Sequence, residues 1–384
     1  MHSSRCRAVG AAKMLFLALW FALIQSVHAT YSAIQETTNI ESICDCSSGM
    51  IPVPVDVEIP VDPTQGLNTT SLRRLHRVFS IFGEFCQPGT PSSNAEHVQL
   101  LLHGSTYTHQ YWTFPMNGFQ NYSYVAHACR QGQSTFSYDQ LGVGLSERPV
   151  HSADIQIPTA AQIASLLAKG LKEGVITSLL GRGEQRFSKV IAIGHSQGSV
   201  VFNYVAITQP SLSGIAAMVL TGHIHDTGFL VSSSSSTPLP ARDVDPARWG
   251  NLEPGYISTP DRSRFYSPDN STFSSDVLML DGLTKDTSTA WFTRDLPAVY
   301  VPAQGFTAPV VEMVGAMDQL HCFNTTTGVE RCIEPALQVS EAPFWPDSRN
   351  FTTIVRAGSG HDLNLDFGAS DTFQLLSTLV EELA

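Results

Sequence analysis

The most constraining stretch of this 384-residue chain runs from Val190 to Val201. An apolar run, Val190-Ile191-Ala192-Ile193, meets Gly194-His195-Ser196-Gln197-Gly198, and Val200, Val201 and Phe202 follow. The run has the length of a buried strand. The residues after Gly198 can continue as a helix to Gln209, just short of Pro210. Gly-x-Ser-x-Gly between a strand and a helix describes a sharp, strained turn. Residues two before and two after the serine then approach neighbouring backbone too closely for a side chain, which is what the glycines allow. The turn lifts the hydroxyl out of the sheet at a helix N-terminus, where developing negative charge is favoured. Ser196 is the candidate nucleophile. The plainer alternative is a Gly-rich strand-to-helix turn without chemistry.

A serine that attacks a carbonyl needs a base within reach and an acid to fix the base's tautomer. Val310 to Val314 reads as a buried strand, and Gly315-Ala316-Met317 leads from it to Asp318. Phe351 to Val355 is another, followed by Ala357-Gly358-Ser359-Gly360-His361-Asp362. Asp318 could simply cap the turn after its strand, and His361 is one of thirteen histidines. Serine, acid and histidine each following its own strand favours a triad of Ser196, Asp318 and His361. A second candidate acid, Asp226, follows the strand Ala216 to Leu220. The oxyanion donors are expected to be the backbone N–H groups of Gln197 and, after the strand Val98 to Leu102, of Ser105, with Thr106 next.

His223-Ile224-His225-Asp226 places two histidines on one face of an extended segment, a spacing that metal sites use. No third ligand is apparent, so a polar strand end near the site is the better reading. Cys44-x-Cys46 lacks a second such pair and a nearby histidine. No metal and no cofactor are expected.

The strands alternate with helical patterns. Ser134 to Tyr138 is a strand, and Thr159 after Pro158 opens a helix whose apolar positions run from Ile163 to Leu179. Ser370 to Ala384 closes the chain as a helix with one apolar face. This rhythm predicts an α/β fold with a mainly parallel sheet covered on both sides. Ile51 to Val61 alternates strictly with proline or acidic residues, and Pro52, Pro54 and Pro60 confine it to an edge or bulge. A second antiparallel edge segment is expected within Leu75 to Phe85. Between His223 and Gly305 the rhythm is broken by a Ser-, Pro- and Asp-rich segment too long for a structureless loop. It is expected to form a cap over the strand ends, with Trp291 and Phe292 as candidate substrate contacts.

Residues 1–29 read as a secretory signal: Arg5, Arg7 and Lys13, the apolar run Met14 to Ile24, then Val27-His28-Ala29. An apolar run of this length falls short of the roughly 20 residues of a membrane span. Removing the segment takes three basic residues and no acidic one, so the net charge moves from −12 to −15. That balance disfavours nucleic acid or an anionic membrane as partner. Cys44, Cys46, Cys86, Cys129, Cys322 and Cys332 then remain, an even set that suits disulfides in an oxidising compartment. Cys322 and Cys332 flank a polar turn and are expected to pair, a short-loop bridge contributing roughly 2–3 kcal/mol. Sequons at Asn68, Asn121, Asn270, Asn324 and Asn350 fit export.

The chain resembles the α/β-hydrolase superfamily, specifically secreted fungal serine hydrolases of the AB-hydrolase-1 pattern. The resemblance spans roughly Phe79 to Ala384. It rests on Leu101-Leu102-His103-Gly104, Tyr111-Trp112, Tyr138-Asp139, Gly142-Val143-Gly144-Leu145-Ser146, the Ser196 turn and Gly360-His361-Asp362. It implies the α/β-hydrolase fold and supports the triad and the oxyanion role after His103-Gly104. Gln140-Leu141 departs from relatives that carry arginine there, a change expected to touch packing more than chemistry. The expected activity is cleavage of a small-molecule carboxylic ester or lactone. Rivals are an acyltransferase or a cyclising or eliminating enzyme of secondary metabolism, and a binding pseudoenzyme.

Overall fold

Strict alternation at the N-terminal end builds a long edge strand. Ile51, Val53, Val55 and Ile59 are buried, while the intervening prolines and Asp56 face outward. This strand, β1 (Cys44–Pro60), pairs antiparallel with β2 (Leu72–Pro88), Val53 lying opposite Phe79. The computed structural model describes residues 43–89, 96–114, 119–211, 213–225 and 238–383. The expected signal segment and Asp226 lie outside them.

Six further strands complete the sheet: β3 (His97–Leu102), β4 (Ser134–Tyr138), β5 (Lys189–His195), β6 (Ile215–Thr221), β7 (Val310–Gly315) and β8 (Phe351–Arg356). Their order is β1-β2-β4-β3-β5-β6-β7-β8, parallel from β4 onward. Residues 83–86 of β2 pair with β4, so β2 is not an edge strand as its sequence suggested. Only β1, where the prolines sit, is outermost on that side.

Successive side chains of a strand point to opposite faces. Leu100, Val190, Ala192, Met218 and Leu220 accordingly join one core with α2 (Ile157–Glu173) and α3 (Gln197–Thr208). Leu101, Ile191, Ile193, Ala217 and Val219 join the other with α1 (Tyr124–Arg130) and α5 (Ala369–Leu383). Burial on both faces is why these strands read as continuous apolar runs. The helical pattern to Leu179 is interrupted: α2 stops at Gly174, φ 78°, and Val175 and Leu179 are about half exposed.

The segment between β6 and β7 has its own structure. Leu239–Pro240, Tyr256–Ser258 and Ser288–Thr289 form a small antiparallel sheet, and α4 (Ser275–Thr284) lies between the last two. Trp249, Tyr256 and Phe292 enter the first core; Phe265, Tyr266 and Phe273 enter the second. The insertion is thus packed into the domain through its aromatics.

Disulfides join Cys44 to Cys129, Cys46 to Cys86 and Cys322 to Cys332. The first ties the start of β1 to α1, and the second links β1 and β2 at directly opposed positions. The third closes the loop after Asp318. Asn68, Asn121, Asn270 and Asn350 are exposed, whereas Asn324 is half-buried and accepts the N–H groups of Thr326 and Thr327. Among the described residues, no helix is long and apolar enough to cross a membrane.

Candidate active site

β5 ends at His195 and α3 begins at Gln197, leaving Ser196 alone on the corner with φ 51° and ψ −115°. A non-glycine residue held there costs on the order of 1–3 kcal/mol, which the surrounding fold must overcome. The Ser196 N–H donates to the Thr221 carbonyl of the neighbouring strand, and its own carbonyl accepts from Val200. Space decides the flanking glycine: a Cβ on Gly198 would stand 2.3 Å from the Leu102 carbonyl oxygen. Gly198→Ala is therefore expected to remove the cooperative melting transition. Gly282→Ala, whose Cβ would meet nothing within 4 Å, should be tolerated; calorimetry on both variants checks this.

β7 delivers Asp318 and β8 delivers His361. His361 Nδ1 lies 2.7 Å from Asp318 Oδ2, and both side chains are buried. Asp318 Oδ1 accepts the backbone N–H groups of Leu320 and His321, at 2.7 and 3.2 Å. Burial alone would raise the Asp318 carboxyl, but the charges of His361 and His321 and these hydrogen bonds outweigh it, and the pKa falls to about 2. Burial works against protonation of His361, yet Asp318 more than compensates and raises it above the ordinary histidine value. With Nδ1 spent on Asp318, Nε2 is the nitrogen left for Ser196. His361 and Ser196 line the same cavity.

Ser105 and Gln197 line that cavity too. Gly104 permits the approach, since a Cβ there would lie 3.1 Å from Ser196 Cβ. His103 orients the peptide that carries the Ser105 N–H. Its Nε2 accepts from the Gln140 N–H at 3.0 Å, so Nδ1 holds the proton and donates to the Gly104 carbonyl at 2.8 Å. Burial lowers His103 to about 4, which keeps the ring neutral for this pair of bonds. Gln140, expected to matter for packing, instead reaches the site. Its Nε2 donates to the His103 carbonyl, and its Oε1 accepts from the Gln197 side chain.

A buried polar cluster, largely unforeseen from the sequence, lies behind these residues. The Tyr111 ring stacks on His195 at 4.3 Å. The Thr221 hydroxyl donates to the Gly194 carbonyl, so His195 Nδ1 donates to Thr221 Oγ1 at 3.1 Å. His195 Nε2 then faces Asp362 Oδ1, 3.2 Å away, as an acceptor, an arrangement that asks for a proton on Asp362. Burial raises that carboxyl to about 6, the direction that retains one. Tyr107 donates its hydroxyl to Asp362 Oδ2 and also touches Asp281, on which the Tyr266 hydroxyl converges. Gly360-His361-Asp362, Tyr111 and His195 stand in motifs legible in the sequence. Asp281 of the insertion, and Arg262, which pairs with it at 3.7 Å, carried no such signal.

The cavity holds about 300 Å3 and mixes apolar with neutral polar walls, among them Val200, Ile257, Thr259, Phe265, Phe292 and Leu296. Phe292 is on the wall. Trp291 is not among its lining residues; its indole N–H donates to Ser152 Oγ at 3.0 Å. His223 also lines the cavity, whereas His225 faces away and takes part in a second cluster. There, His225 Nδ1 lies 2.6 Å from Glu341 Oε2 and 3.6 Å from Glu312 Oε1. Asn203 Nδ2 reaches His225 Nε2 at 2.8 Å. Both ring nitrogens of His225 are thus engaged in hydrogen bonds, although His225, Glu312 and Glu341 stand close enough to resemble a ligand set. Burial, then the neighbouring Glu341, pushes the Glu312 carboxyl well up, toward its neutral form. Asp318, His321 and His361 converge similarly, but there the Asp318–His361 bond occupies the facing atoms.

An Alpha/beta hydrolase family profile matches residues 99–371, which include all the loops just described. The chain belongs to this family. Among solved structures it is similar to the Paleococcus ferrophilus monoacylglycerol lipase, at 17% identity and a TM-score of 0.50, covering 77% of this chain and 97% of the lipase. It is also similar to a soluble variant of the Saccharomyces cerevisiae monoglyceride lipase, at 14% identity and TM-score 0.50, over 86% of this hydrolase and 96% of that one. A membrane phospholipase A matches 99% of both chains at 12% identity and TM-score 0.50. No curated protein matches the sequence. At such identities the likeness speaks for the fold shared by these hydrolases.

Proposed function

We propose that this α/β hydrolase is a secreted serine hydrolase that cleaves an uncharged carboxylic ester or lactone. The observation that carries the reading is the 2.7 Å Asp318–His361 contact, opening onto the cavity that holds the strained Ser196. His361 Nε2 takes the Ser196 proton as Oγ attacks the carbonyl carbon, and Asp318 steadies the imidazolium. The oxyanion receives the N–H groups of Gln197 and Ser105. His361 then returns the proton to the departing alkoxide as the C–O bond breaks, leaving an acyl-serine. A water deprotonated by His361 attacks that ester, and the acid leaves as Ser196 regains its proton. Ser196 supplies the proton that leaves with the alcohol, and the water supplies the one that restores it, His361 carrying each in turn.

Cavity chemistry narrows the substrate. Among the described residues, no lysine, arginine, aspartate or glutamate lines it, so a charged acyl group would lose its hydration without gaining a partner of fixed charge. A volume near the lower end for ligand sites, about 300 Å3, suits a short or slender substrate. The insertion 223–305 acts as the cap in this reading. Residues 1–29 act as the export signal, which the three disulfides and exposed sequons support.

The test is a hydrolysis panel of p-nitrophenyl esters from acetate to palmitate, several lactones, and a succinate half-ester, with products analysed with and without an added alcohol acceptor. Free acid as the main product, with at least about a tenfold preference for neutral over charged acyl groups, is expected. Ester formation as the dominant outcome would replace hydrolysis by acyl transfer. Phe292→Ala should reorder the neutral esters by about tenfold between short and long chains. Trp291→Ala should change melting temperature more than ranking, and a uniform loss on every substrate in Phe292→Ala would remove the cap from specificity.

A further inference from the structure

Thr106 is the residue after the proposed oxyanion donor, and its φ of 63° is unusual for a β-branched side chain. Something must hold it there. Arg262, from the insertion and only 2% exposed, does so with both arms of its guanidinium. Nη1 reaches Thr106 Oγ1 at 2.9 Å and Nη2 reaches the Thr106 carbonyl at 2.6 Å. The Thr106 hydroxyl in turn donates to the Ser105 carbonyl at 2.6 Å. A second insertion residue, Asp286, donates its backbone N–H to the Thr106 carbonyl at 2.8 Å. Arg262 itself is fixed by the Tyr107 ring, 4.0 Å from its guanidinium carbon, and by Asp281 at 3.7 Å.

His103 pins the peptide before Ser105, while Arg262 pins the Thr106 carbonyl directly and the Ser105 carbonyl through the Thr106 hydroxyl. The first clamp comes from the sheet, the second from the insertion. We propose that Arg262 is a positioning residue that couples the seated cap to the oxyanion donor, holding the Ser105 N–H in register through Thr106. This rests on the serine-hydrolase reading above and adds to it a route by which the cap governs the rate as well as the choice of substrate. Arginine suits the task because its planar fork meets the Thr106 hydroxyl and carbonyl together. Lysine would keep the charge beside Asp281 but lose the fork.

The test is steady-state kinetics of Arg262→Lys, Thr106→Val and the double variant on one neutral activated ester, with melting temperatures and with Ser196→Ala as control. Loss of an oxyanion donor costs about 10²–10³ in kcat, and a displaced donor should cost less. We expect kcat of Arg262→Lys to fall roughly 10–100-fold with KM within about threefold, since the donor acts on the transition state. Thr106→Val should fall in the same direction. The double variant should be far from additive, because both changes cut one link. An unchanged kcat in Arg262→Lys, or additive losses, would overturn the proposal. Should Arg262→Lys fail to fold, an unchanged kcat in Thr106→Val overturns it and a selective kcat loss supports it. Activity surviving in Ser196→Ala would instead remove the underlying reading, whatever Arg262 does.

Discussion

Ser196→Ala is expected to lower turnover of any ester the protein accepts by about 10⁵–10⁶, to near the rate of the oxyanion site alone. The expectation rests on position. Ser196 is the one residue on the corner between β5 and α3, it opens into the cavity, and its backbone is held at φ 51°. Alanine keeps that backbone and removes only the hydroxyl, so folding should be unchanged. Ser196→Gly is equally inert chemically but free to adopt positive φ, and should melt at a higher temperature than Ser196→Ala. A fluorophosphonate probe should label the wild-type protein at Ser196 and leave both variants unlabelled. Turnover surviving in Ser196→Ala, with labelling elsewhere, would move the nucleophile to another residue and end the mechanism proposed above.

The parts of the fold that were legible in sequence are those in which each residue answers a local demand. Val190-Ile191-Ala192-Ile193 must be buried on both faces, so it reads as a strand without reference to its neighbours. Pro52, Pro54 and Pro60 withhold N–H groups from any ladder, so β1 is the outer strand. Legibility fails where an outcome depends on distant partners. The apolar spacing to Leu179 suits a continuous helix, but Gly174 ends α2 and turns Val175 and Leu179 toward solvent. Nothing local marks 83–86 of β2 for pairing with β4. At the site, Ser196, Asp318 and His361 each follow a strand and are visible singly. Gln140 and Arg262 act on residues far away in the chain, Gln197 and Thr106, and such pairs have no local signature. Trp291 illustrates the converse. Its neighbour Phe292 lies on the cavity wall, while the indole N–H of Trp291 donates to Ser152.

Asp318→Asn should cost about 10³–10⁴ in kcat while leaving the fold intact. Asparagine fills the same volume, but its amide would donate to His361 Nδ1. The imidazole proton would then move to Nε2, the nitrogen that must accept from Ser196. A second consequence concerns pH. The base works only when neutral, so kcat/KM falls as pH drops through the His361 pKa. In the wild-type protein burial opposes protonation of that ring, but the Asp318 charge raises its pKa above the ordinary value. Removing the charge leaves burial opposed only by the weaker influence of Asp362, so the acid limb of the residual activity should shift to lower pH as its height falls. The uncharged amide would also no longer balance the protonated ring that forms in the transition state, so the loss in kcat should persist at every pH. Asp226→Asn should cost less than about tenfold if that residue only borders the entrance. Kinetics of both variants on one activated ester across pH 5–9, with circular dichroism for the fold, give the decision. A crippled Asp226→Asn beside a mild Asp318→Asn with an unmoved acid limb would transfer the acid's role to Asp226 and leave Ser196 and His361 in place.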